Sequence, residues 1–180
     1  MSNIAAVTES TATPEQQEIL TATKKALGIV PNLVSTLAQS PAAANAYLAF
    51  SGALSKGSLS AKSRELIALA VGEANSCDYC VSAHTYIGTH AGLTEEEVLD
   101  ARRGTSSDPK RKAALSFIKK LVSERGHVSA EDIEALRTQG FSESDIVEIV
   151  ANTALNIFTN YFNHVAATEI DFPIAAKLEA

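Results

Sequence analysis

The chain has 180 residues, 46% apolar, 20% charged and 6% aromatic, and its nine Gly and five Pro leave few obligatory breaks. That length suits one domain, and scarce Gly and Pro with abundant Ala favour long helices over the turn-rich strands of a sandwich or barrel. A net charge of -6, with acids and bases interspersed and no basic face, gives no footprint for nucleic acid. The longest apolar run, Leu66 to Val71, is far below the roughly 20 residues that cross a bilayer, so a cytoplasmic protein with neither membrane nor nucleic acid as partner is expected.

Helix punctuation runs almost end to end. Thr13-Pro14-Glu15-Gln16 opens a first helix with a cap, a proline at the first helical position and a capping-box glutamine, and Gly28 ends it. A short segment over residues 31–39 stops before Ser40-Pro41, which opens a helix running toward Gly57. Ser60 begins the next. Asn75-Ser76 interrupts it, and a new helix is expected from about Cys77 to Ala91, ended by Gly92.

The second half repeats the same grammar. Leu93-Thr94-x-x-Glu97, Val128-Ser129-x-x-Asp132 and Phe141-Ser142-x-x-Asp145 each pair a cap with an acid three residues on, with an apolar residue just before the cap. Asp108-Pro109 opens a helix whose Ala114, Phe117, Ile118 and Leu121 share a stripe, and the last long helix runs from Glu143 to about His164. The fold expected is all-α, with about nine helices. An echo at a spacing of eighty residues, pairing Leu66-Ile67 and His84 with Ile146-Val147 and His164, points to an internal two-fold repeat. Residues 1–180 read as a single domain with a core motif over about 59–92 and peripheral tails at 1–12 and 171–180.

The reactive inventory is small: two Cys and four His. On a helix starting near Cys77, positions 77, 80 and 84 lie within about 60° of one another, which puts both sulfurs and the imidazole on one face. Residues three apart on a helix are close enough for a disulfide. If the preceding helix folds back antiparallel at Asn75, Glu65 meets His84, and a carboxylate on the imidazole fixes its tautomer and makes it a base for a thiol. Glu73 is the competing carboxylate. The helix-start argument by itself favours Cys77 as the reactive sulfur, because the first turn stabilises a thiolate. His90 falls on the far side of its helix, His127 in a loop, and His164 at a helix end, and all three read as structural or solvated. Tyr161-Phe162 reads as core, and Val81, Ile87, Tyr47 and Phe50 are expected near the dithiol as an apolar lining.

Glu65 twelve residues before Cys77-Asp78-Tyr79-Cys80, with His84 four residues after it, closely resembles the core of the alkylhydroperoxidase D-like family of the carboxymuconolactone decarboxylase superfamily. The ending Asn160-Tyr161-Phe162-Asn163-His164 followed by Asp171-Phe172-Pro173 resembles its peroxidase-related members. The resemblance implies a thiol-dependent hydroperoxide reductase. Cys80 would be the peroxidatic thiolate and pass through a sulfenic acid, Cys77 would donate a proton and then close the Cys77–Cys80 disulfide, and Glu65 and His84 would form the proton relay. It also implies a small organic hydroperoxide as substrate, no bound cofactor, an external dithiol or lipoyl-type reductant, and a homo-oligomer, trimer or hexamer. Some relatives carry a His between the cysteines where this chain has Asp78-Tyr79, and an acid there disfavours a thiolate.

The alternative reading uses the same four residues in a non-catalytic zinc-binding or redox-sensing module. Two thiolates, an imidazole and a carboxylate can make a tetrahedral zinc set, yet structural zinc draws its ligands from separate segments and glutamate is a minority ligand.

Overall fold

Four helices start on reciprocal capping boxes, Thr13 with Gln16, Thr94 with Glu97, Ser129 with Asp132 and Ser142 with Asp145, each worth about 1 kcal/mol. They set the frame of the structure, a computed structural model that describes residues 2–178. Nine helices and no strands are found among these residues: α1 (Pro14–Leu27), α2 (Asn32–Leu37), α3 (Pro41–Leu54), α4 (Ala61–Ala74), α5 (Asp78–His90), α6 (Glu95–Arg103), α7 (Pro109–Ser123), α8 (Ala130–Thr138) and α9 (Glu143–Ala166). The all-α expectation holds. Helix α3 stops at Leu54, a turn short of Gly57, because the chain tightens through Ser55 instead.

Helix α4 is the hub, packing against α5, α6, α7 and α9. Leu66, Ile67, Leu69, Ala70 and Val71 put one face of α4 into an apolar core shared with Val98 and Ala101 of α6, Leu115, Phe117, Ile118 and Leu121 of α7, and Ile146 and Ile149 of α9. A second core joins α1, α2, α3 and α5, and it contains both cysteines with Tyr79 and Ala83. The buried Arg102 of α6 ties α4 to the C-terminal segment, donating from Nε to Glu73 at 2.7 Å and from Nη1 to the carbonyl of Ala176 at 2.8 Å. With Arg102 buried and Glu73 partly so, losing the carboxylate leaves a poorly solvated charge and costs more than the about 0–1 kcal/mol of an exposed pair such as Lys24 with Glu9.

Two sequence expectations change. The eighty-residue echo pairs unlike shapes, since residues 61–90 form two helices broken at Asn75–Cys77 whereas 141–170 hold the single uninterrupted α9. Asn75 and Ser76 can end a helix, but their counterparts Leu155 and Asn156 propagate one. The tails are not peripheral either, although Met1, Glu179 and Ala180 lie outside the described residues. Asn3 N–H donates to the carbonyl of Ala166 and Val7 N–H to that of Ser35, while Asn32 N–H donates to Asp171 and Ala175 N–H to Ser82 Oγ.

The loop between α3 and α4 is pinned electrostatically. Ser58 N–H and Leu59 N–H donate to the Glu148 carboxylate at 2.8 and 3.0 Å, and a Cβ at Gly57 would collide with that carboxylate. These bonds hold the Glu148 carboxyl below its usual range, and Ser58 Oγ, donating at 2.6 Å, does the same for Asp145. Carboxyls depressed in the folded state contribute stability that is complete above their unfolded values near pH 4 and is lost as pH falls through the folded ones. Urea denaturation should therefore give constant stability from pH 7 to about 5 and a decline below about pH 4, with Glu148→Gln making the decline shallower.

Candidate active site

The site begins at the break between α4 and α5. Asn75 caps α4, and Ser76 adopts φ 55°, the left-handed conformation that lets Cys77 N–H donate back to the carbonyl of Gly72 at 2.8 Å. Cys77 is the N-cap of α5, its Sγ accepting from Cys80 N–H at 3.3 Å. The two cysteines, with Cα atoms 5.3 Å apart, form a disulfide. Cys77 is wholly buried, whereas Cys80 forms part of the wall of a cavity of about 620 Å³.

Antiparallel packing of α4 on α5 brings Glu65 to His84, and His84 Nδ1–H donates to Glu65 Oε2 at 2.8 Å. Close approach at this point needs Gly88, where a Cβ would clash with Leu93 and touch Glu65 Cβ. With Nδ1 occupied, Nε2 is the nitrogen left to take a proton, one turn along α5 from Cys80. Glu65 and His84 both line the cavity. Glu73 is paired with Arg102, which removes it as the competing carboxylate. The four residues expected from sequence are thus brought together, and Cys77 alone lies behind the wall.

The cavity has two sides. Leu33, Val34, Leu48, Ile87 and Phe172 form an apolar side, with Tyr47 among them. Asn152, Asn156, Thr159 and Asn163 of α9 form a polar side. Asn163 Nδ2 donates to Cys80 Sγ at 3.3 Å. Sequence reasoning did not assign these α9 residues, yet the signal existed: polar positions recur at helical spacing on the inward face of an otherwise apolar helix. Two expected lining residues are absent, since Phe50 faces solvent and Val81 packs against Gly72. Tyr161 is not core either; it is 59% exposed, while Phe162 is half-buried against the second core.

Tyr79, between the cysteines, anchors their helix. Its hydroxyl accepts from Leu33 N–H at 3.2 Å, and its ring meets Phe172 edge-on at 5.9 Å. Burial raises its pKa far above the usual value, as burial and the nearby Glu65 raise that of Tyr47, so both remain phenols. Asp78 is exposed at the first position of α5. His90 and His127 are exposed, and His164 Nε2–H donates to the carbonyl of Ser76 at 3.3 Å. No group of three or more His, Cys, Asp or Glu side chains arranged to hold a metal ion is found among the described residues.

The profile of the Carboxymuconolactone decarboxylase family matches residues 41–120, the segment that carries Glu65, both cysteines and His84. The fold is also that of an alkylhydroperoxidase core from Ralstonia eutropha, a peroxidase-related protein 27% identical with a TM-score of 0.85, over 94% of this chain and 92% of that one. Residues 41–120 thus match the carboxymuconolactone decarboxylase family, and the chain has the all-α fold of alkylhydroperoxidase D-like proteins. A peroxidase-related protein from Silicibacter is similar at 26% identity and a TM-score of 0.80, each chain covered to 94%. A debrominase solved with 2,3,4-tribromopyrrole shares the fold at 23% identity and a TM-score of 0.79, over 95% of this chain and 92% of that one. No curated protein matches. The alkylhydroperoxidase D-like fold thus carries more than one chemistry, and the side chains of the site distinguish them.

Because the Tyr79 hydroxyl is the acceptor for a buried N–H, Tyr79→Phe leaves Leu33 N–H unpaired. Chemical denaturation should show a loss of about 1–3 kcal/mol, larger than an exposed tyrosine would give.

Proposed function

We propose that the protein is a thiol-dependent hydroperoxide reductase whose Cys80 attacks a small organic hydroperoxide. The observation that carries this reading is the disposition of the pair: the sulfur on the cavity wall lies one turn from an imidazole held by a carboxylate, and its disulfide partner is buried behind it. His84 Nε2 takes the proton of the Cys80 thiol, and the thiolate forms a bond to the terminal oxygen of the hydroperoxide. The O–O bond breaks, the imidazolium returns the proton to the departing alkoxide, and Cys80 becomes a sulfenic acid. The Cys77 sulfur then bonds to Cys80, the hydroxyl leaves as water with the Cys77 proton, and a disulfide remains. Two electrons and two protons from an external dithiol, of simple or lipoyl type, restore the thiols. Glu65 orients His84 through the Nδ1–H bond and leaves Nε2 facing the reaction.

The apolar side of the cavity favours an organic peroxide over a small charged one. No bound cofactor is needed for this chemistry. A disulfide that must be reduced in each cycle calls for a reducing compartment, which is the basis for proposing the cytoplasm; no helix among the described residues is long and apolar enough to cross a membrane.

Peroxide consumption with a dithiol reductant tests the reading. Cys80→Ser should abolish turnover, Cys77→Ser should accumulate sulfenic acid detectable by trapping and mass spectrometry, and His84→Gln should slow the oxidation step about 10²- to 10³-fold. A Cys80→Ser protein as active as the parent would refute it.

We also propose a homo-oligomer, a trimer or a hexamer of two trimers. The outer face of α9 supports it, because Val147, Val150, Phe158, Tyr161 and Val165 form an exposed apolar stripe. Light scattering should give a trimeric or hexameric mass, and Val150→Lys with Tyr161→Glu should reduce it; a monomeric parent would rule the assembly out.

A further inference from the structure

Helix α9 sends one amide into the site. Asn163 is 4% exposed and Cys80 is 2% exposed, and Asn163 Nδ2 donates to Cys80 Sγ at 3.3 Å. The other end of that amide, Oδ1, is buried and accepts from no group in the protein, although the side chain lines the cavity. A buried acceptor without a donor is costly to keep, and the side chain that carries it lines the cavity, which makes the cavity's occupant a fitting source of the donor.

An amide is suited to this position in a way that other side chains of its size are not. It offers an N–H donor group and a carbonyl acceptor side by side on a rigid plane. A carboxylate would have no donor and would repel a thiolate, while an alkyl group would offer neither contact. The neighbouring polar residues of the wall do not share this arrangement. Asn152 Nδ2 donates to the carbonyl of Glu148 and Asn156 Nδ2 to that of Asn152, which commits both donors to the helix backbone. Asn163 is the member of the series whose donor reaches a sulfur.

We propose that Asn163 is a catalytic residue that holds both reacting atoms: its amide N–H donates to the Cys80 thiolate, and its Oδ1 accepts the terminal O–H of the hydroperoxide, setting that oxygen against the sulfur. The oxygen half rests on the peroxidase reading; the sulfur half does not. As the S–O bond forms and the O–O bond breaks, the electron pair leaves with the alkoxide, which takes its proton from the His84 imidazolium. The hydrogen already on the terminal oxygen stays there and becomes the sulfenic S–O–H, still bonded to Oδ1. No further reactant is consumed, and the cavity loses no hydrogen bond between the two states.

The sulfur contact is tested with Cys77→Ser as the parent, in which Cys80 is the one remaining thiol of a chain with two cysteines. Iodoacetamide alkylation is followed by mass spectrometry across pH 5 to 10. Adding Asn163→Leu should move the pH midpoint of alkylation upward by about one unit and slow the reaction roughly tenfold below the midpoint, with circular dichroism and melting confirming the fold. Asn163→Asp, of equal size, gives the same reading if the leucine variant does not fold, with a shift at least as large. An unchanged midpoint in a folded variant overturns the sulfur contact. The oxygen contact is tested with both cysteines present by the rate of cumene hydroperoxide reduction, which should fall about tenfold further than the loss of thiolate accounts for. A fall that only tracks the thiolate fraction overturns it. A parent that consumes no peroxide but shows the shifted midpoint would refute the peroxidase reading, and with it the oxygen contact, while supporting the sulfur contact.

Discussion

The reversal of the chain between Ala74 and Asp78 is the constraint on which the site depends. It closes through one backbone hydrogen bond, Cys77 N–H to the carbonyl of Gly72, and that bond forms only because Ser76 accepts a left-handed conformation. A residue with a Cβ pays about 1–2 kcal/mol for this. Helix α9 offsets the cost from outside the turn, since Asn75 Nδ2 donates to Asn160 Oδ1 at 2.9 Å and His164 donates to the carbonyl of Ser76. Each such bond is worth about 1 kcal/mol net. The same reversal makes Cys77 an N-cap, sets Cys80 one turn inside α5, and lays α4 antiparallel so that Glu65 arrives at His84. Changing the turn would change all three together.

Helix α9 serves two surroundings at once. Its inward face carries Asn152, Asn156, Thr159, Asn160 and Asn163 to the cavity and the turn, and its outward face carries the exposed apolar stripe. Buried polar groups usually destabilise a helix interface unless they are paired. Here each side chain has a partner in a backbone carbonyl, Asn75 or a sulfur, which offsets part of the cost and lets a polar wall survive beside an apolar one, while Asn160 Nδ2 and Asn163 Oδ1 are left without one. The phenols of Tyr47 and Tyr79 stay protonated, which keeps further negative charge away from a thiolate at Cys80. The anion that does sit there, Glu65, is bonded to His84.

Local grammar made most of this legible. Every capping box named from the sequence is a helix start, because a side-chain cap and its reciprocal acid are decided within four residues. The pairing of Glu65 with His84 was legible for a related reason: once the break at Asn75 is placed, antiparallel packing fixes which residues meet. The contacts that escaped are long-range ones. Asn163 reaches Cys80 across 83 positions, and no periodicity links the two. The eighty-residue echo misled because apolar spacing records which face is buried and not whether a helix is interrupted. Phe50 and Tyr161 were misassigned because an aromatic residue on an amphipathic helix can face solvent or a partner chain as readily as a core.

The choice between the two sulfurs shows how geometry overrides a field argument. The helix-start argument favours Cys77, the sulfur nearer the N-terminus of α5. Yet Cys77 is the N-cap and Cys80 the third helical residue, so both lie within the first turn, where the dipole acts. The field therefore separates them little. Access and partners separate them strongly: Cys77 is wholly buried with its sulfur turned to the N–H of Cys80, whereas Cys80 meets the cavity, Asn163 and the His84 side of α5. On the proposed reading this division also sets the order of events. A hydroperoxide in the cavity meets Cys80 first, and Cys77, hidden from it, becomes reactive only toward a partner whose Cα lies 5.3 Å away. On that reading the dithiol admits oxidation through one sulfur and keeps the other in reserve to close the bond.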